Sequence, residues 1–122
     1  MKRILTVAVI IILTLTGCSD GGYKKITTAQ AKEIMENEQV IVLDVRTEEE
    51  FREGHIENAI LLPNVEITLK AEEMLTDKDA KILVYCRSGR RSEAAARDLL
   101  EMGYKNVYDF GGLNEWEYET VR

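Results

Sequence analysis

The chain has 122 residues, with 16 lysines and arginines against 22 aspartates and glutamates, one histidine and two cysteines. Its formal charge of −6 becomes −8 once Lys2 and Arg3 are set aside with a leader, and so acidic a body disfavours nucleic acid and anionic lipid headgroups as partners. One histidine and no cysteine cluster assemble no metal site, and the length allows one hydrophobic core with no room for two.

Met1-Lys2-Arg3 is a short basic start, and Ile4 to Leu15 is an apolar run interrupted by threonines and small residues. Spanning a bilayer takes about 20 apolar residues, so the run reads as a cleaved signal and not a permanent anchor. Leu15-Thr16-Gly17-Cys18 resembles the lipobox of bacterial lipoproteins, which implies cleavage before Cys18 and lipid on its sulfur. The expected division is a signal peptide at 1–17, a lipidated tether at 18–22 and one folded domain at 23–122, held on a membrane of the bacterial cell envelope outside the cytoplasm. A signal anchor with an incidental cysteine is the competing reading.

After the tether, Tyr23 to Ile26 predicts a short strand, and Thr27 with Gln30 forms a capping-box pattern that opens a helix through Asn37. The continuous apolar run Val40 to Val45 predicts a strand buried on both faces. Thr47 with Glu50 repeats the capping box and Gly54 stops that helix. Ala59 to Leu62 predicts a short strand closed by Pro63, and Ile67, Ala71, Met74 and Leu75 follow helical spacing up to the Asp77-Lys78-Asp79 turn. Lys81 to Tyr85 is a strand, Ser92 to Met102 a helix stopped by Gly103, Asn106 to Phe110 the last strand, and a short helix closes the chain around Trp116. Alternation of this kind predicts an α/β fold whose mainly parallel central sheet carries helices on both faces, with ligands beyond the carboxyl ends of the strands.

Cys86 stands at such an end, heading the stretch Cys86-Arg87-Ser88-Gly89-Arg90-Arg91-Ser92 between a strand and a helix. Small and flexible residues let the backbone amides curl around the sulfur, while three arginines and a helix N-terminus favour negative charge there. A free thiol titrates near ~8.5, and such surroundings bring it into the range of about 3.5 to 7.5. A cysteine after an apolar strand is ordinarily a small buried hydrophobe, but a core position needs neither Gly89 nor three guanidinium groups.

The spacing Cys86-x-x-Gly89-x-Arg91 resembles the active-site loop of the rhodanese family. Asp44-Val45-Arg46, Glu50-Phe51, Gly54-His55-Ile56 followed by Ala59, and Gly111-Gly112 with Trp116 match further landmarks of that family in order, so that the resemblance runs from Lys24 to Glu117. It implies a three-layer rhodanese-like fold and sulfurtransferase chemistry without a cofactor: Cys86 takes a sulfane sulfur as a persulfide and passes it to a thiol or protein acceptor. Arg87, Ser88, Gly89, Arg90 and Arg91 are then the substrate-binding stretch for a small sulfur-containing anion, guanidinium groups being well suited to oxyanions. Arg87 could equally be solvated, and Arg91 could instead pair with an acidic neighbour and brace the loop. An arginine directly after the cysteine is similar to thiosulfate-using members.

Asp44, Arg46 and Glu50 read as structural support, with Arg46 reaching Glu50 across the capped turn, because charges buried at strand ends need partners. His55 reads as structural, and Phe110 and Trp116 as core or pocket wall. If Cys18 carries lipid, Cys86 is the only thiol, so a loaded sulfur must leave to an external molecule. Two other readings stay open. One is a cysteine phosphatase or arsenate reductase, whose loops are typically one residue longer than the six from Cys86 to Arg91. The other is a lipid-anchored module that binds or senses sulfur species without turnover.

Overall fold

Both expected capping boxes form, and they start the first two helices. The Thr27 side chain accepts from the Gln30 amide while Gln30 returns to the Thr27 amide, and Thr47 and Glu50 do the same. The computed structural model describes residues 22–122, so the leader and Cys18 lie outside the described residues. Within them run β1 (Lys24–Lys25), α1 (Thr28–Asn37), β2 (Ile41–Asp44), α2 (Glu48–Glu53), β3 (Ile60–Leu61), α3 (Ile67–Met74), β4 (Lys81–Cys86), α4 (Arg90–Glu101) and β5 (Asn106–Gly112). A 3₁₀ turn at Asn64–Glu66 precedes α3, and another at Leu113–Glu115 follows β5.

The five strands form one sheet in the order β1-β5-β4-β2-β3, and every pairing is parallel. β4 lies in the middle and its residues alternate between two cores, as strand geometry requires. Ile82, Val84 and Cys86 join Ile67, Ala71 and Leu75 from the α3 segment and Ala95, Ala96 and Leu99 of α4. Leu83 and Tyr85 join Ala31 of α1, Ile56 and Phe110 on the other face. Helices therefore cover both faces, and the apolar runs read as doubly buried strands are buried in that way.

Three expectations are corrected at element ends. Helix α4 begins at Arg90 and not at Ser92, because Gly89 takes a left-handed φ of 101° and turns the chain into the helix at once. The closing element near Trp116 is only a 3₁₀ turn, after which an extended tail pairs Val121 with His55 in an antiparallel bridge. Met74, assigned to the apolar face of α3, is exposed, while Ile67, Ala71 and Leu75 are buried.

The buried polar groups hold the carboxyl rim of the sheet together. Asp44, fully buried at the end of β2, accepts from the Arg46 amide at 2.9 Å, from Arg46 Nη2 at 2.7 Å and from the Tyr85 hydroxyl at 2.6 Å. Tyr85 in turn accepts from the Ile56 amide at 3.1 Å, and Arg46 Nη2 also donates to the Gly54 carbonyl at 2.7 Å. Arg46 thus pairs with Asp44, two residues away, and not with Glu50 as the sequence suggested; Glu50 goes to Arg91. Among the described residues no buried side-chain nitrogen or oxygen lacks a partner, so hydrogen bonds and the ion pair offset the desolvation cost of this cluster. Removing the bridging hydroxyl with Tyr85→Phe strands the Ile56 amide and should cost about 1 to 3 kcal/mol of stability in chemical denaturation.

Candidate active site

Cys86 is the last residue of the central strand and is completely buried. The chain then reverses over Arg87, Ser88 and Gly89, and the backbone closes back on the sulfur. The Gly89 amide donates to Sγ at 3.0 Å, and the Ser88 and Ser92 amides also stabilise it. The Ser92 hydroxyl, buried in the first turn of α4, lies 3.5 Å from Sγ and 3.1 and 3.3 Å from the carbonyls of Gly89 and Gly111; its one hydrogen is shared among them, bonding a carbonyl while it accepts from the neutral thiol and turning to the sulfur when that ionises.

Burial opposes ionisation of this thiol, but the Ser92 hydroxyl together with the Ser92, Gly89 and Ser88 amides outweighs it and holds the pKa below the ordinary cysteine value. The cause is therefore hydrogen bonding to the sulfur, by the amides the sequence leads one to expect around it and by the Ser92 hydroxyl, and not the charge of the three arginines. Ser92 is the site residue that sequence reasoning missed, having been read only as the start of a helix. A buried small hydroxyl six residues after a strand-end cysteine is the signal that could have found it.

The curl of the loop depends on two glycines. Gly89 occupies the left-handed region, where other residues are strained. Gly112 lies against the loop so closely that an added Cβ would stand 2.1 Å from the Arg87 carbonyl oxygen, so no other residue fits without moving the loop. That carbonyl also accepts from the Asn114 amide at 3.2 Å. Asp109 positions the turn that brings Gly112 there: its Oδ1 accepts from the Gly111 amide at 2.8 Å and its Oδ2 from the Tyr23 hydroxyl. Asp109, buried in the last strand, was not singled out from the sequence.

The three arginines part company. Arg91 reaches across to α2 and clasps Glu50 with both nitrogens, Nη1 to Oε1 at 2.6 Å and Nη2 to Oε2 at 2.9 Å. These bonds pull the Glu50 carboxyl down to about 2 against the opposing effect of burial. Arg91 therefore braces the loop, one of the two roles left open for it. Arg87 and Arg90 are exposed beside the cysteine. A depression of about 400 Å³ beside the loop is lined by Arg46, Glu50, Glu53, Arg87, Leu113 and Asn114, so Arg87 faces a space large enough for a small anion.

His55 takes no part in this assembly. Its ring stacks on Phe51 with centroids 3.7 Å apart and its Nδ1 bonds the Phe51 carbonyl at 2.8 Å. Phe110 is buried and touches Trp116, with centroids 5.8 Å apart, as parts of the α1-side core. A depression of about 620 Å³ lies at the opposite end of the sheet, along Val40, Ile41, Ala80 and Lys81, and is lined by no cysteine, serine or threonine. Among the described residues no cluster of histidine, cysteine and carboxylate side chains could hold a metal ion.

Comparison with known proteins agrees with this geometry. Residues 27–119 match the rhodanese-like domain. Over 96 residues the chain is 34% identical to the thiosulfate sulfurtransferase GlpE of Coxiella burnetii, spanning 78% of this chain and 88% of that protein. It is 37% identical over 80 residues to the thiosulfate sulfurtransferase PspE of Escherichia coli, spanning 66% and 77% respectively. The crystal structure of a rhodanese-related protein from Thermoplasma volcanium superposes with a TM-score of 0.72 at 34% identity, covering 81% of this chain and 98% of that one. The chain belongs to the rhodanese-like family of sulfurtransferases.

Proposed function

We propose that the protein moves a sulfane sulfur through a persulfide on Cys86, with thiosulfate as a donor and a thiol as acceptor. The observation that carries this reading is the ring of amides and the Ser92 hydroxyl around a sulfur whose pKa is lowered despite burial. The Cys86 thiolate attacks the outer sulfur of thiosulfate, the sulfur–sulfur bond of the donor breaks, and sulfite leaves with the electron pair. The new persulfide carries its negative charge on the outer sulfur, in reach of the same amides. An acceptor thiolate then attacks that outer sulfur, takes it as its own persulfide and returns Cys86 as thiolate. The two relatives named as thiosulfate sulfurtransferases support thiosulfate as donor.

Arg87, exposed at the rim of the 400 Å³ depression, is assigned to the anionic end of the donor. Ser88, Gly89 and the start of α4 supply the amides, and Arg90 adds exposed positive charge. Arg91 is committed to Glu50, which argues against phosphatase or arsenate reductase chemistry: an arginine held in a bidentate pair is not free to bind a tetrahedral oxyanion. The reading extends to location, with Cys18 as the lipidated first residue of the mature chain and the domain held outside the cytoplasm. The lipobox-like Leu15-Thr16-Gly17-Cys18 supports it. Among the described residues no helix is long and apolar enough to cross a membrane.

Incubation with thiosulfate should add about 32 Da, one sulfur, at Cys86 in a form that thiols remove, as expected for covalent catalysis. Cys86→Ser should fold and transfer none; equal turnover in the serine variant would end the assignment. Arg87→Ala should weaken use of thiosulfate by about 1.5 to 3 kcal/mol while leaving an uncharged persulfide donor less affected, as competing steady-state assays can show.

Glu50→Gln should lower stability by about 1 to 2 kcal/mol at neutral pH, since it breaks a charge-assisted pair that is only partly exposed. The folded carboxyl sits near 2 and the ordinary value is 4.5, so the pair's contribution is complete above 4.5 and vanishes as pH falls through 2. Denaturation curves of wild type and variant should converge over that window.

A further inference from the structure

Strand β5 falls one residue out of step with β4 beside the site. Val84 is in register with Asp109 and Cys86 with Gly112, so two steps along β4 face three along β5. The extra residue forms a bulge, with Gly111 in the left-handed region at a φ of 86°, and a bulge re-aims the groups that follow it. Three contacts with the cysteine loop leave from this short turn. The Gly111 carbonyl lies 3.3 Å from the Ser92 hydroxyl, and a Cβ built on Gly89, whose amide reaches the sulfur, would stand 3.5 Å from Gly111 Cα. Gly112 then lies against the Arg87 carbonyl.

At the bulge the Gly111 amide bonds the Asp109 carboxylate at 2.8 Å. Asp109 is buried, and its second oxygen accepts from the Tyr23 hydroxyl. Tyr23 is itself placed by α4: its ring packs against the core on that face of the sheet, with the Arg97 guanidinium 4.5 Å from the ring centroid. A residue that precedes β1 thus completes the hydrogen bonding of the carboxylate that holds the bulge, and a buried oxygen left without its donor is costly. We propose that Tyr23 and Asp109 are positioning residues for sulfur transfer: through the β5 bulge they keep the cysteine loop closed on the sulfur, and so set how readily Cys86 is loaded.

This rests on Cys86 as the sulfur carrier. The test follows alkylation by iodoacetamide against pH in the full-length protein, measured by mass on the Cys86 peptide, together with the rate of loading from thiosulfate. Around the Tyr23 hydroxyl stand Asp109 of β5 and Glu93 and Arg97 of α4. Around the cysteine loop stand Arg87, Arg90 and Arg91, with Asp44 at the end of β2 and Glu50 on α2. Tyr23→Phe leaves every one of these charges in place. Losing the hydroxyl loosens the bulge and leaves the Asp109 charge less neutralised, and both effects disfavour the thiolate. The alkylation midpoint should therefore rise by about half a unit, and loading below that midpoint should slow about threefold. Asp109→Ala should load roughly tenfold more slowly, and Asp109→Asn, whose amide oxygen still accepts from Gly111, should recover most of that loss. Tyr104→Phe removes a buried hydroxyl that bonds the Leu75 carbonyl at 2.6 Å beyond the far end of α4; it controls for general loosening and should leave the midpoint where it is. An unmoved midpoint in Tyr23→Phe, an equal shift in Tyr104→Phe, or Asp109→Asn as slow as Asp109→Ala overturns the inference. A wild type that alkylates at Cys86 but takes up no sulfur overturns instead the reading beneath it.

Discussion

A thiol enclosed at the end of the central strand has no water to solvate it when it ionises, and the protein must supply the hydrogen bonds in its place. Three backbone amides and one hydroxyl do this around Cys86, and the rest of the architecture follows from keeping them pointed inward. Backbone amides are neutral donors fixed by the fold, so they stabilise charge on sulfur without a second buried ion and its desolvation cost. In the proposed reaction the same donors would serve both the free thiolate and a persulfide, whose charge has moved outward by one atom.

The loop is held from three sides, each by a different kind of contact. Steric closeness does it beneath, where the Arg87 carbonyl rests on Gly112 and only hydrogen fits. A bidentate ion pair does it laterally, where Arg91 and Glu50 join α4 to α2. The buried Asp44–Arg46–Tyr85 cluster does it at the level of the sheet, since Tyr85 precedes the cysteine and its hydroxyl is tied to the end of β2. Glu50 serves the ion pair and the α2 capping box at once, because the oxygen that meets Arg91 also accepts from the Thr47 amide. The short helix α2 has no buried residue, so these polar contacts carry the fixing that apolar burial provides for α3 and α4.

Much of the fold was legible because local signals agreed. Thr27 with Gln30 and Thr47 with Glu50 mark helix starts by chemistry internal to four residues, and the doubly buried strands show as unbroken apolar runs. The site was legible as far as its covalent order: Cys86 at a strand end, Gly89 and the arginines after it. Its long-range pairings were not. Arg46 has carboxylates at Asp44 and Glu50 within reach by sequence alone, and only the tertiary position of Arg91, 41 residues from Glu50, decides which pairs form. Ser92 and Asp109 were missed for the same reason, since their value lies in which backbone groups other segments bring to them.

One buried thiol also fixes what the two substrates must be like. Cys86 has no surface of its own to offer, so a donor or acceptor must bring a slender sulfur terminus into the loop. In the proposed reaction thiosulfate would do this with its outer sulfur while leaving its oxygens outside, where Arg87 and Arg90 are exposed. An acceptor thiol in that reaction meets Cys86 only after sulfite has left, because a single sulfur cannot serve both at once. Discharge therefore follows loading as a separate encounter, and the kinetics expected are those of alternation between a free and a sulfur-loaded enzyme. In the proposed reaction such alternation asks little motion of the fold, because the amide ring already in place around the sulfur is the one that would hold the persulfide.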